Sequence, residues 1–166
     1  MAGEKIYHAF TSKYEYISNR LVNEVILEQK ESSKLCAAQW DTGASGSCVS
    51  EDVINDLGLV PIGMQTIQTP SGSKDVNTYL VDIILPNRVR VEGVVVCGSD
   101  IGNQGIQILI GMDVINQGDF SVSNFEGKTV FSFRIPSKKT IDYVQEINIE
   151  NVIGPKHGKG KRKKKK

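Results

Sequence analysis

Up to Ile135, apolar residues recur at alternate positions or in short runs, a rhythm of strands and not of helices. Ile6-Tyr7-His8-Ala9-Phe10 and Arg20 to Leu27 read as strands either side of a polar stretch. Leu35 to Trp40 reads as a third, after a turn at Glu31-Ser32-Ser33-Lys34. The rhythm changes between Ser50 and Gly58. A serine placed to cap, acids directly after it, spaced apolar residues and a closing glycine predict a short helix there. Met64 to Thr69 and Asp75 to Leu85 flank Pro70-Ser71-Gly72-Ser73, which predicts a hairpin. Arg88 to Cys97 reads as two β-rich runs broken near Glu92-Gly93. Ile106 to Ile110 is an apolar run stopped by Gly111, with Asp113 to Asn116 opening a helical turn. Phe120 to Val122 and Thr129 to Ile135 read as a last hairpin. Beyond Pro136 the pattern is ambiguous: Ile141, Val144 and Ile147 fall three apart as in a marginal helix, whereas Ile147-Asn148-Ile149 alternates. There is no internal repeat.

A chain of 166 residues with 39% apolar content suits one core and is short for two ordinary domains. No apolar run approaches a membrane span, and Met1-Ala2-Gly3-Glu4-Lys5 is not followed by the apolar segment of a signal peptide; a cytoplasmic location is expected. Cys36, Cys48 and Cys97 lie far apart in sequence, and His8 and His157 are the sole imidazoles. Buried reduced thiols are expected, with no metal site and no cofactor. The near-neutral total hides an asymmetry. Lys156 to Lys166 hold eight of the 20 Lys and Arg and none of the 19 Asp and Glu, leaving −7 on the rest of the chain. An acidic body with a basic tail is not a basic nucleic-acid-binding domain. The tail alone would give weak, salt-sensitive attachment to polyanions.

The chemistry concentrates at Asp41-Thr42-Gly43-Ala44-Ser45, where an apolar strand delivers a carboxylate into a loop of small residues. Thr42 can hydrogen-bond, Gly43 frees the backbone, and Ala44 leaves room beside the acid. Two carboxylates forced together share one proton, so one can act as base and the other as acid. That division of labour, for which aspartic proteases are the standard illustration, needs neither metal nor histidine. It does need two acids. No second Asp-Thr/Ser-Gly exists in the chain, so the economical solution is a two-fold dimer that sets Asp41 against its symmetry mate.

The acid loop after an apolar strand, with Ile108-Leu109-Ile110-Gly111-Met112-Asp113 downstream and a hairpin between, resembles the retropepsin-like (retroviral-type, single-domain) aspartic peptidases over about Val22 to Ile135. The resemblance implies an all-β half-barrel with one or two short helices, working as a two-fold homodimer. It implies an aspartic endopeptidase that binds an extended peptide beneath two flaps, with apolar side chains beside the scissile bond. Asp41 then matches the catalytic acid. Thr42 matches the threonine that reaches across to the partner loop, and Gly43 the glycine whose backbone faces substrate. Ile110 and Gly111 match the support behind the site. Substrate contacts are expected from Gly43, Ala44 and the flap residues Thr69, Pro70, Ser71 and Gly72. Ser45 and Met112 stand where viral members carry an acid and an arginine that form an ion pair; both are neutral here, so neither strands a charge.

On this reading residues 1–19 form an extension that is partly strand, 20–136 the peptidase domain, 137–153 a C-terminal extension and 154–166 a disordered basic tail. The N-terminal strand and the segment after Ile135 are expected to supply interface. Trp40 and Tyr79 are expected in the core, Tyr14 and Tyr16 over sheet surface, Asp113 as a helix cap, and Asp75 and Asp119 in solvent. The competing reading is a catalytically silent module of the same fold that binds peptides or holds an assembly. An intact Asp41-Thr42-Gly43 argues against it.

Overall fold

The hydrophobic alternation becomes ten strands and three α-helices, with two short 3-10 turns, in the computed structural model, which describes residues 6–69 and 72–153. The strands are β1 (His8–Lys13), β2 (Leu21–Gln29), β3 (Ser32–Trp40), β4 (Cys48–Val49), β5 (Gly63–Thr69), β6 (Gly72–Ile84), β7 (Arg90–Gly98), β8 (Ile108–Ile110), β9 (Asp119–Ser123) and β10 (Val130–Ile135). The helices are α1 (Glu51–Leu57), α2 (Met112–Ile115) and α3 (Tyr143–Ile153). The predicted flap residues Pro70 and Ser71, and the basic tail from residue 154, lie outside the described residues.

Seven strands form one curled sheet in the order β2-β3-β8-β4-β7-β6-β5, and β2 also pairs with β6, so the sheet nearly closes on itself. A smaller sheet, β1-β10-β9, covers one end. Alternation explains which side faces in. Val25 and Leu27 of β2 and Cys36, Ala38 and Trp40 of β3 are buried, while Leu35 is exposed. The sheets meet in an aromatic cluster: Trp40 lies 4.9 Å from Phe133 and 5.3 Å from Phe131, with Phe10 and Phe120 packed around them. Phe131 and Phe133 are fully buried. Trimming either to alanine would cost about 3–5 kcal/mol. Trp40 is a core residue, its indole N–H donating to Asn23 Oδ1 at 3.1 Å, and Tyr79 is likewise buried.

Several boundaries differ from the sequence pattern, each for a tertiary or turn-level reason. The β2–β3 turn falls at Lys30-Glu31, because the strands stay in register to Gln29↔Ser32 and Lys30 adopts φ 54° to close it. β1 starts later than Ile6, since its register is set by Phe10 opposite Phe133. The break at Glu92-Gly93 is a bulge in a continuous strand. Val81 faces Val94 and Ile83 faces Val91, so Asp82 opposes two residues, and its carboxylate accepts the Gly93 N–H at 2.9 Å. The ambiguous C-terminal segment is helical from Tyr143 because Asp142 Oδ1 accepts the N–H groups of Val144 and Gln145 at 3.0 and 3.1 Å. Ser50 takes the extended N-cap backbone, yet its hydroxyl is buried without a partner and caps nothing.

Asp119 is a correction of another kind. It does not sit in solvent but receives Arg134 Nε at 2.8 Å, the Lys138 N–H at 2.9 Å and the Ser137 hydroxyl, anchoring the chain as it leaves β10. Asp75 is exposed and accepts Thr66 Oγ1. Tyr14 is half-buried, its hydroxyl bridging the N–H and carbonyl of Val22 at 2.9 Å each. Among the described residues no helix is long and apolar enough to cross a membrane.

Candidate active site

β3 ends at Trp40, whose side chain is pulled into the aromatic cluster, and the next residue is turned out of the core. Asp41 is half-buried; Thr42 and Gly43 are exposed. The parallel neighbour β8 holds the strand end, with Trp40 opposite Ile110 and the Asp41 N–H donating to Ile110 O at 2.9 Å. The loop then folds back on its own acid. Gly43 N–H donates to Asp41 Oδ1 at 2.8 Å and Ala44 N–H to Asp41 O at 3.3 Å. The carboxylate is therefore fixed by the loop backbone with its other oxygen left over. The Thr42 hydroxyl has no partner among the described residues.

Behind the loop stands Gly111. A methyl group built on it would lie 2.5 Å from Gly46 O and 2.9 Å from Ala44 O, so the turn between β8 and α2 touches the acid loop backbone to backbone. Glycine is needed there for space alone, since its φ of −96° suits any residue. Two hydrogen bonds fasten the contact, Met112 N–H to Ala44 O at 2.8 Å and Gly111 N–H to Ser47 Oγ at 3.0 Å. Ser47 Oγ in turn donates to Asp113 Oδ1 at 2.8 Å, and Ser47 N–H donates to Asp113 Oδ2 at 2.9 Å.

Asp113 is thus not the cap of α2, a position held by Gly111; it braces the acid loop through Ser47. Ser47 was not singled out by sequence reasoning. The available signal was the lack of an ion pair at Ser45 and Met112, which leaves the loop needing another fastening. Ser45 is exposed, and Met112 packs its side chain on the core. On the outer face of β3, Arg20 Nε donates to Gln39 Oε1 at 2.7 Å, two positions before the acid. Arg20 also donates to Gln104 O at 3.0 Å.

The structure therefore brings together Asp41, Thr42, Gly43, Ala44, Ile110 and Gly111. Thr69 and Gly72 are paired at the far end of the β5–β6 hairpin. Cys36, Cys48 and Cys97 are all free thiols, the first two buried and Cys97 half-buried, and Cys48 and Cys97, far apart in sequence, stand directly opposite each other on β4 and β7. No group of three His, Cys, Asp or Glu placed to hold a metal occurs among the described residues.

Comparison with known proteins agrees with this geometry. Residues 32–114 match a family model described as aspartyl protease. That span runs from the start of β3 to α2 and includes the acid loop, the hairpin and the Gly111 turn. No curated protein matches the sequence significantly. Among solved structures the chain is similar to a retropepsin-like aspartic protease from Rickettsia conorii, at 10% identity with a TM-score of 0.54, covering 80% of this chain and 98% of that one. It is also similar to the simian foamy virus (mac) protease, at 24% identity, TM-score 0.43, 58% and 92% coverage. The EIAV protease in complex with an inhibitor matches at 18% identity, TM-score 0.49, 60% and 88% coverage. The Rickettsia likeness identifies the fold as retropepsin-like.

Proposed function

The chain belongs to the aspartyl protease family, and from that premise we propose that it is an aspartic endopeptidase whose site is completed by a second copy of itself. The observation that carries this reading is the Asp41 loop: an acid held by its own backbone, open on its outer side, and braced from behind by Gly111, Ser47 and Asp113. One such loop supplies one acid. In the dimer, Asp41 takes a proton from a water whose oxygen attacks the peptide carbonyl. Asp41 of the partner subunit gives its proton to the carbonyl oxygen, and the proton taken from water passes to the departing amine as the C–N bond breaks and one hydroxyl of the diol returns a proton to the partner's Asp41. The unpartnered Thr42 hydroxyl supports a reach across the two-fold axis, and Gly43 and Ala44 with the β5–β6 hairpin would hold an extended substrate as an added strand.

β1 is an edge strand, paired on one side with β10 of its own chain, so only its outer edge would be open to a partner. The segment after Ile135 suits the role better. α3 leaves Val144, Ile147, Ile149 and Val152 exposed at 52–87%, unpacked among the described residues. The binding-module reading differs in needing no ionised acid. Asp41→Asn, which keeps size and the Gly43 hydrogen bond, is expected to abolish cleavage of a peptide library while the sedimenting mass stays that of two chains. Cleavage at the wild-type rate by Asp41→Asn would overturn the peptidase reading, and full activity in a monomer would overturn the dimer.

A further inference from the structure

The thiols of Cys48 and Cys97 are distant in sequence and adjacent in space, at the exit of the acid loop. β4 and β7 run parallel with Cys48 opposite Cys97, so both side chains leave the same face of the sheet. There they pack on one small cluster with Ile101 and Ile106, apart from the main core. Neighbouring strands place opposed Cα atoms about 5 Å apart, inside the roughly 4.4–6.8 Å span that a disulfide bridges. Cys48 is buried and Cys97 half-buried, so one thiol can meet a solute while the other waits behind it. Cys97 also touches the brace of the acid loop: its N–H donates to Ser47 O at 3.1 Å and its Sγ lies 3.7 Å from the same oxygen.

We propose that Cys48 and Cys97 form a peroxide-sensitive dithiol, Cys97 attacking and Cys48 resolving, whose disulfide ties the end of the acid loop to β7. The thiol of Cys48 hydrogen-bonds to the Cys97 sulfur, which favours the thiolate at Cys97 and lowers it to about 7, while the same bond and burial push Cys48 upward. The Cys97 thiolate attacks one oxygen of hydrogen peroxide, the O–O bond breaks, and hydroxide leaves to take up the proton that Cys97 had lost. Cys97 is then a sulfenic acid. With the negative sulfur gone, nothing on it holds the Cys48 proton. The Cys48 sulfur attacks the Cys97 sulfur, the S–O bond breaks, and the hydroxyl leaves with that proton as water. Two thiols and one peroxide become one disulfide and two waters. The third thiol is an internal control: Cys36 is buried in the main core, and burial pushes it up to about 11.

The test uses the reduced full-length chain treated with hydrogen peroxide, followed by denaturing alkylation and peptide mapping. The expected product is lighter by two hydrogens, with a reductant-reversible Cys48–Cys97 linkage and an alkylated Cys36. Under native alkylation Cys97 should react about tenfold or more faster than Cys36. Cys48→Ser should accumulate a Cys97 sulfenic acid trapped by dimedone, and Cys97→Ser should leave Cys48 unreacted. Backbone amides of residues 47–49 should exchange hydrogen more slowly in the oxidised form. Alkylation of Cys48 and Cys97 at undiminished yield after peroxide, or a linkage joining two chains through Cys97, would overturn the proposal. Should either serine variant fail to fold, the wild-type map decides alone. None of these measurements depends on peptidase activity.

Discussion

Replacing Gly111 by alanine tests how the acid loop is held. The added methyl would lie 2.5 Å from Gly46 O, 2.6 Å from Gly46 C and 2.9 Å from Ala44 O. The nearest approach is about 0.9 Å inside the 3.4 Å at which ordinary contact begins, and all three atoms are backbone. No flexible side chain can swing away, so either the acid loop or the β8–α2 turn must move. Over-packing of this kind costs about 1–3 kcal/mol, and three backbone clashes put Gly111→Ala at the top of that range. At about 3 kcal/mol a chain of this size should melt roughly 6–12 °C lower by calorimetry. If the loop takes up the shift, Asp41 is displaced by up to about 1 Å, enough to slow cleavage of a peptide on the order of a hundredfold. The control is Gly46→Ala in the same loop, where an added methyl would meet nothing within 4 Å. That variant should stay within about 0.5 kcal/mol of the parent. Equal melting of Gly111→Ala and the parent would refute the reasoning, because the close contact would then not constrain the loop.

Three further outcomes follow from the same geometry. Ser47→Ala removes the acceptor of Gly111 N–H and a donor to Asp113 at once, and should cost about 1–3 kcal/mol in denaturant unfolding, with Ser47→Thr restoring part of it. Ser137, the Lys138 N–H and Arg134 hold the Asp119 carboxyl well below the ordinary carboxylate range. The depressed folded-state value means that its stabilisation is complete above the unfolded carboxylate value and is lost as pH falls below it. Asp119→Asn should therefore lower stability at neutral pH and flatten its decline on acidification, as thermal melts across pH would record. Removing residues 154–166 should leave peptide cleavage unchanged and weaken salt-dependent binding to heparin, whereas removing residues 143–166 should also reduce the sedimenting mass to that of one chain.

Much of the fold was legible because burial and strand period coincide: Val25, Leu27, Cys36, Ala38 and Trp40 fall on alternate positions and point inward. What was not legible depended on partners distant in sequence. The turn at Lys30 puts a non-glycine residue at positive φ, a choice enforced by β2–β3 register and not by turn chemistry. Gly93 looked like a strand break because its partner, Asp82, could not be seen across the ladder. Asp119 read as a solvated turn residue for the same reason, its donors lying 15 to 19 positions away. Cys48 and Cys97 are separated by α1, β5 and β6, and only the crossover that lays β4 beside β7 makes them a pair. The acid loop was the most legible part, since Asp41-Thr42-Gly43 and Gly111 are short-range patterns whose meaning survives without coordinates.

The brace behind the loop explains how this chain can leave Ser45 and Met112 uncharged. An ion pair joining loop to helix must offset the desolvation of two charges, and losing one partner alone would strand the other. Here a single carboxylate does the joining. Asp113 accepts Ser47 N–H, Ser47 Oγ–H and the Val114 N–H, and Ser47 Oγ accepts Gly111 N–H, so every group in the chain of contacts has a partner. The charge sits at the first turn of α2, where unsatisfied N–H groups favour it. Because no cation takes part, the fastening should resist salt. Added salt should then weaken the dimer or the tail contacts before it loosens residues 41–47, and hydrogen exchange at those amides, followed from low to high ionic strength, distinguishes this brace from an ion pair.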